Sequence, residues 1–295
     1  MLLLLLIIQE KKTECQTLQD WAQTVNWEGV RHWSKYIKTT AKYMGPNALP
    51  VPFISNGSID SISYIGATGH FHFMKGDKVQ NIALYGNYCV VKDVVSIDIA
   101  YVPVEFYKMS DALKKERHVY YTHYYDNIAK GDVILNTNVR LIRKWEKMIQ
   151  LALRIGFRYP SSSDLETARF TDNMGYYIDL SIGKPLTPQL KWVGMAGFYV
   201  WQQYSDQHHQ NDALLFGSGL EWNKGNWRIQ VYGAGYLGYL RNSGDKPLVF
   251  RSHLEKRWKN SSLLLRLQQG VHDFSYSSVE LGMKYFLKRK APVIR

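Results

Sequence analysis

The strongest constraint in this sequence is an alternation of apolar and polar residues with a period of two, repeated along most of the chain. In the clearest window, residues 149–159, every odd position is apolar, whereas the even positions include Arg154 and Arg158. Successive side chains of a β-strand point to opposite faces, so this window predicts a strand with one apolar and one charged face. A strand of about ten residues is long enough to cross a bilayer at a tilt.

A single strand of this kind would also suit a soluble sandwich, whose polar face meets water. The alternation recurs, however, near residues 95–101, 133–141, 174–182, 263–267 and 279–287. Aromatic residues fall at or near many of the predicted strand ends, as the interfacial girdles of a membrane barrel require. We therefore predict an all-β fold, a transmembrane antiparallel up-and-down β-barrel of about 12 strands. The alternative is a soluble β protein with an aromatic core.

The connections between the predicted strands alternate in length. Those near residues 92–93, 144–146, 184–188, 224–225 and 259–260 are short, and most of the others are longer. Bacterial barrels have short periplasmic turns and longer external loops, so this parity places both ends of the barrel in the periplasm. The first connection, near residue 76, is short although its position is external. The predicted strands cover residues 60–74, 78–91, 94–107, 132–143, 147–159, 173–183, 189–203, 212–223, 226–240, 247–258, 261–272 and 277–288.

The chain ahead of the barrel divides into two parts. Residues 1–16 begin with an apolar run and are predicted as an incomplete signal peptide, lacking a basic leader and a small-residue cleavage site. Residues 17–54 are predicted to be a periplasmic amphipathic segment and a Pro-rich linker that pack against the barrel end, with entry into the lumen as the alternative. The barrel is assigned to residues 55–288 and a periplasmic tail to 289–295.

If the apolar faces meet lipid, the opposite faces line the lumen, where arginines outnumber other charges. The net charge of the whole chain is +12 at pH 7. Rings of charged side chains tune ion selectivity in pores, so a basic lumen favours small anionic or polar solutes. A network of ion pairs that closes a narrow barrel is the alternative. The predicted lumen-lining residues are Arg140, Arg154, Arg158, Asp179, Glu221, Arg228, Glu255, Arg257, Arg266, Glu280 and Lys284.

Other chemistry is less well supported by the sequence. Ser252 and His253 are adjacent on a predicted strand, so they point to opposite sides and do not form a nucleophile and base pair. His208 and His209 lie in a polar loop, where solvation is the ordinary role of histidine. The two cysteines, Cys15 and Cys89, exclude a disulfide scaffold. We predict no catalytic residue, cofactor, metal or nucleic-acid partner.

Over roughly residues 55–290 the chain resembles Gram-negative outer-membrane β-barrel proteins. The resemblance rests on the alternating strands, the alternating loops and the closing strand Val279 to Leu287. It implies location in the cell outer membrane, contact with outer-membrane lipid, and insertion by the barrel-assembly machinery with periplasmic chaperones as transient partners. The predicted function is a narrow passive channel or solute-binding pore. A lipid-modifying enzyme and a non-conducting surface receptor or scaffold are the alternatives.

Overall fold

The computed structural model describes residues 18–120, 127–142, 148–162 and 164–287. The predicted signal peptide (1–16) and tail (289–295) lie outside the described residues. The strands are β1 (Tyr64–Met74), β2 (Asp77–Val91), β3 (Val95–Met109), β4 (Ile128–Ala129), β5 (Val133–Arg140), β6 (Gln150–Tyr159), β7 (Gly175–Pro185), β8 (Leu190–Gln202), β9 (Gln210–Lys224), β10 (Trp227–Gly238), β11 (Leu248–Arg257), β12 (Ser261–His272) and β13 (Ser277–Phe286).

The long strands form one closed antiparallel barrel. Each pairs with its neighbour in the chain, apart from the two-residue β4, which pairs only with the end of β3. β1 pairs with β13 in the register Tyr64 opposite Phe286 to Phe73 opposite Ser277, which closes the sheet. Closure removes the unpaired edges that an open sheet would expose. The predicted all-β up-and-down barrel of about 12 strands is confirmed, and β4 is an addition to it.

The outer surface of the barrel is apolar because alternate residues of every strand point away from the lumen. Ile65 on β1, Leu263 on β12 and Met283 on β13 are 57%, 54% and 56% exposed, although all three are apolar. Most of the residues between them on the same strands point inward and are polar or small, and the buried Leu264 on β12 is an apolar exception. A continuous exposed apolar surface of this kind is typical of a face that contacts lipid.

The two ends of the barrel differ in their connections. At one end, here called the short-turn end, the described turns span residues 92–94, 186–189, 225–226 and 258–260. The other end, here called the long-loop end, carries the connections that include 160–174 and 239–247, together with the short first turn at 75–76 that the sequence also predicts. β1 begins and β13 ends at the short-turn end.

The residues ahead of β1 do not remain outside the barrel. Helix α1 (Leu18–Val25) and the 3₁₀ helix Trp33–Tyr36 lie at the long-loop end, beside helix α2 (Asp111–Glu116). Trp21 of α1 is fully buried there, and its Nε1 donates to His118 O at 2.9 Å. Residues 45–63, here called the luminal segment, then run through the lumen and reach the short-turn end, where β1 begins.

Contacts around the whole circumference of the barrel identify the position of the luminal segment. Its hydrogen-bond partners lie on β3, β6, β9, β10 and β11, which only an object inside the barrel can reach together. The described part of the predicted segment 17–54 therefore lies at the long-loop end and in the lumen. Of the two placements considered for it, entry into the lumen agrees with these contacts. Within the described residues, no helix is long and apolar enough to span a membrane.

Candidate functional site: the lumen and the segment inside it

Side chains of the barrel wall donate hydrogen bonds to the backbone carbonyls of the luminal segment. Arg158 Nη1 on β6 donates to Ala48 O at 2.5 Å, and Arg251 Nη2 on β11 donates to Val51 O at 2.8 Å. Tyr236 on β10 donates its hydroxyl to the carbonyl of residue 49 at 2.9 Å. The segment contains three prolines and pairs with no strand, so its buried carbonyls need side-chain donors.

Glycines of the wall leave the space in which the luminal segment lies. A Cβ added to Gly183 on β7 would be 2.0 Å from Asn56 O, and one added to Gly217 on β9 would be 2.6 Å from Ile54 Cδ1. Gly183 therefore accepts no side chain while the backbone of the segment stays in place, and a side chain at Gly217 would require the Ile54 side chain to move. Gly57 of the segment itself has a φ of 74°, a conformation that favours glycine.

A cluster of five buried side chains joins three loops at the long-loop end, and is here called the loop-end cluster. Arg169 donates to Asp77 Oδ2 at 2.6 Å and, through Nε, to Glu105 Oε1 at 2.8 Å. Arg117 donates to the same Asp77 oxygen at 3.1 Å and to the Tyr276 hydroxyl at 2.8 Å. Tyr276 in turn donates to Asp77 Oδ2 at 2.6 Å.

The members of the loop-end cluster are almost inaccessible to water, with at most 1% of each residue exposed. Two guanidinium groups face two carboxylates, so the charges of the cluster balance. Burial raises the pKa of Tyr276 from 10.0 to about 12, which keeps its hydroxyl protonated as the donor to Asp77. Asn47 of the luminal segment donates to Glu105 Oε2 at 2.6 Å, so the cluster and the luminal segment are connected.

Aromatic rings fill the lumen next to this cluster. Tyr199, Trp201 and Tyr236 are fully buried and contact one another with ring centroids 5.0 to 5.4 Å apart. Trp201 Nε1 donates to Thr39 O at 3.2 Å. The aromatic packing, the luminal segment and the loop-end cluster together close the long-loop half of the lumen.

The short-turn half of the lumen contains two cavities. The larger, of 290 Å³, is lined by cations on several strands, by polar side chains, and by the carboxylates Asp60 and Asp98. The smaller, of 270 Å³, lies at the short-turn end and shares residues 58–60 of the luminal segment with the larger cavity. The cations that line the larger cavity are Arg154, Arg228, Arg266 and Lys284.

The structure pairs most of the predicted lumen-lining cations with carboxylates of the wall. Among the described residues, the carboxylate partners of the four cavity cations do not line the larger cavity, so the cationic groups are nearer to it. Arg158 is different, since it lies in the closed half with Asp132 at 3.4 Å. The four pairs are Arg154 with Asp179 at 2.7 Å, Arg228 with Glu221 at 2.6 Å, Lys284 with Glu255 at 3.1 Å, and Arg266 with Glu280.

Two predicted lumen-lining residues, Arg140 and Arg257, lie at the short-turn end and line the smaller cavity. Arg140 Nε donates to Ile142 O at 3.0 Å, and the Arg257 guanidinium lies 4.1 Å from the centre of the Phe286 ring. Both therefore lie at the rim rather than deep in the lumen. Within the described residues, no group of three His, Cys, Asp or Glu side chains is arranged to hold a metal ion.

Several residues that shape the site were not predicted from the sequence. Residues 251, 253 and 255 of β11 lie on the same, inward face of the strand. The alternation along β11 could therefore have predicted that Arg251 lines the lumen. Its guanidinium and that of Arg266 lie 4.3 and 4.0 Å from the ring centre of Phe53, a residue of the luminal segment. Arg117 and Arg169 lie in loops, where no periodicity indicates which way a side chain points.

Comparison with known proteins supports the fold. Neither a protein-family model nor a curated protein matches the chain. The structure is similar to that of an outer membrane channel from Pseudomonas putida F1, with a TM-score of 0.57 and 10% identity over 81% of this chain and 100% of that one. It is also similar to the NanC porin, with a TM-score of 0.50 and 10% identity over 76% and 100% of the two chains. The fold is thus that of outer-membrane β-barrels, as the resemblance in the sequence implied.

Proposed function

We propose that the protein is an outer-membrane β-barrel whose lumen is a narrow passive channel for small anionic or polar solutes. The observation that carries the proposal is the contrast between the exposed apolar outer surface and the polar, cavity-containing lumen. In a hydrocarbon environment a closed barrel satisfies every strand hydrogen bond internally, while its interior remains available to water and solutes. Outer-membrane lipid, the assembly machinery and periplasmic chaperones are the partners that this location would involve.

The orientation in the membrane follows from the connections. Short turns lie in the periplasm and long loops lie outside in barrels of this type, so the short-turn end is assigned to the periplasm. The luminal segment then enters from the outer side and joins β1 on the periplasmic side. Both cavities lie on the periplasmic side of the closed half of the lumen.

The positions of the charges support a preference for anions. The guanidinium and ammonium groups of the four cavity cations lie along the larger cavity, and their carboxylate partners lie behind them. Asp60 and Asp98 reduce this positive surplus, and Asp98 accepts hydrogen bonds from Asn87 and Asn138 at 2.5 and 2.6 Å. A modest preference for anions over cations is therefore expected.

The occupied lumen favours a second candidate, a barrel that conducts nothing and serves as a surface scaffold or receptor. The luminal segment and the loop-end cluster fill one half of the barrel, and a solute passes only if the segment moves. The two candidates predict different electrical behaviour of the purified protein. A scaffold has no conductance, whereas an occluded channel has small or infrequent conductance steps.

Planar bilayer recordings of the full chain test the proposal. We expect small conductance steps and, in a salt gradient, a reversal potential that indicates a preference for anions.

Lys284→Gln removes one cavity cation and should lower the ratio of anion to cation permeability about 1.5- to 3-fold. Lys78→Gln is the matched control, because Lys78 is exposed near the long-loop end and does not line either cavity. Complete absence of conductance would favour the scaffold, and an unchanged ratio in Lys284→Gln would reject the assigned selectivity.

A further inference from the structure

Two neighbouring side chains in the wall of the larger cavity carry a buried nitrogen without a hydrogen-bond partner among the described residues. They are Gln230, through Nε2, and His253, through Nε2. Gln230 is only 3% exposed, and the Glu255 carboxylate lies 3.9 Å from the His253 nitrogen, too far for a hydrogen bond. Buried nitrogens of this kind are uncommon in folded proteins because each loses its hydrogen bonds to water without replacement. Both residues line the larger cavity.

The register of the sheet brings these two residues together. Gln230 on β10 lies directly opposite His253 on β11, and His253 lies directly opposite Arg266 on β12. Side chains at such paired positions on one face have Cβ atoms about 5 Å apart. Arg228 lies two residues before Gln230 on the same face of β10, and Lys284 lies on β13. Arg266 and Arg228 are therefore neighbours of these two residues in the sheet, and Lys284 lines the same cavity.

These groups are all suited to an oxygen-rich anion. The amide Nε2 of glutamine is a donor, and His253 donates in the tautomer that carries its proton on Nε2. Guanidinium and ammonium groups form charge-assisted hydrogen bonds with carboxylate and phosphate oxygens. The cavity of 290 Å³ is large enough to hold several water molecules or a small solute in their place.

We infer that this wall of the larger cavity, centred on Gln230 and His253, is a binding site for a small oxyanion bearing a carboxylate or phosphate group. The cavity lies on the short-turn side of the closed half of the lumen, and the smaller cavity extends it toward that end. The anion therefore enters from the short-turn end. Entry from the periplasm rests on the orientation in the proposed function, whereas binding itself does not.

Asp60 of the luminal segment limits the affinity of this site. It lines the same cavity and interacts electrostatically with Arg228. An anion in the cavity is repelled by the Asp60 carboxylate and competes with it for the guanidinium. Removal of this charge should strengthen binding, an effect that damage to the fold cannot imitate.

Equilibrium dialysis of the full chain in detergent, with radiolabelled inorganic phosphate and separately with radiolabelled acetate, tests the inference. We expect saturable binding of one anion per chain, and the better of the two probes identifies the oxyanion class. Gln230→Leu should weaken binding roughly tenfold, the effect of losing a hydrogen bond to a charged group. Asp60→Asn should strengthen it by about three- to tenfold. Gln80→Leu, on the exposed face of β2, is the matched control and should bind as the unmodified protein does.

Two results would overturn the inference. The first is the absence of saturable binding of either anion to the unmodified protein, with folding verified by the change in gel mobility on boiling. The second is equal affinity in the unmodified protein, Gln230→Leu and Asp60→Asn. Neither result bears on conductance, which the bilayer recordings measure separately, so failure of the binding site and failure of the proposed channel are distinguishable.

Discussion

The two halves of the lumen use the same kinds of residues in different ways. At the long-loop end, Arg117 and Arg169 share the carboxylate of Asp77, and all three side chains are 0% exposed. In the short-turn half, Arg228 also pairs with a buried carboxylate, Glu221, yet 32% of its side chain remains exposed to the cavity. An arginine enclosed by partners holds the structure together, whereas one with an exposed face remains available to a solute.

The luminal segment produces this difference. In the long-loop half its carbonyls and the side chain of Asn47 occupy donors and acceptors of the wall. In the short-turn half, Asn56 contacts Glu221 and Phe53 contacts two arginines, but residues 58–60 leave space on either side of the chain. Charged residues alone therefore do not show whether a part of the lumen is an ion-pair network or a solute path. The position of the luminal segment distinguishes the two.

The largest expected effect that tests this comparison is on stability. Arg169→Met removes the guanidinium between Glu105 and Asp77 and leaves Glu105 buried with a single amide donor. We expect the free energy of unfolding to fall by about 3–5 kcal/mol, measured by urea unfolding in lipid vesicles. Arg228→Met should cost only about 1–2 kcal/mol, since Glu221 keeps other donors and Arg228 is partly exposed.

An exposed arginine provides the control for these two variants. Arg31 pairs with Glu28 at 3.1 Å, and 58% of its side chain is exposed. Arg31→Met should change the free energy of unfolding by less than about 1 kcal/mol. Equal losses in Arg169→Met and Arg228→Met would break the comparison, because the two halves of the lumen would then depend on their arginines to the same extent.

The architecture was predictable from the sequence because it depends on local rules. Alternation within residues 149–159 fixes which face of β6 meets the lumen, and short turns such as 225–226 fix the neighbouring strands. The path of the luminal segment was not predictable in this way. Its prolines exclude regular pairing, and its partners, such as Arg158 and Arg251, lie more than a hundred residues away in the chain.

The candidate site was therefore only partly predictable. The alternation of side chains along each strand identifies Arg154 and Glu280 as inward. It does not show that a carboxylate lies beside each cation or that part of the chain fills the lumen. The glycines give the clearest retrospective signal. Gly183 and Gly217 are inward positions without a side chain, which indicates close approach of another part of the chain, but the sequence does not say which part.

Gly183→Ala sharpens the comparison by pushing the luminal segment away from the wall. The added methyl group would be 2.0 Å from Asn56 O, so the segment or the strand must shift at a cost of about 1–3 kcal/mol. We expect larger or more frequent conductance steps in bilayers and faster proteolysis within residues 45–63. Gly69→Ala is the control, because nothing lies within 4 Å of its added Cβ. Unchanged conductance in a folded Gly183→Ala protein would show that the segment does not limit the passage of ions.

The last effect concerns the response of the loop-end cluster to alkaline pH. Burial raises the pKa of Tyr276 from 10.0 to about 12, so between these values the unfolded chain loses the phenolic proton and the folded protein keeps it. Stability from this group is complete below pH 10 and falls by about 1.4 kcal/mol per pH unit as the pH approaches 12.

Tyr276→Phe does not titrate, and it lacks the hydrogen bonds with Asp77 and Arg117 at every pH. The unfolding free energies of the two proteins should therefore converge between pH 10 and 12, with the unmodified protein more stable at pH 8. A gap that stays constant across this range would mean that the Tyr276 hydroxyl ionises as readily in the folded protein as in the unfolded chain, and that the long-loop half of the lumen admits water.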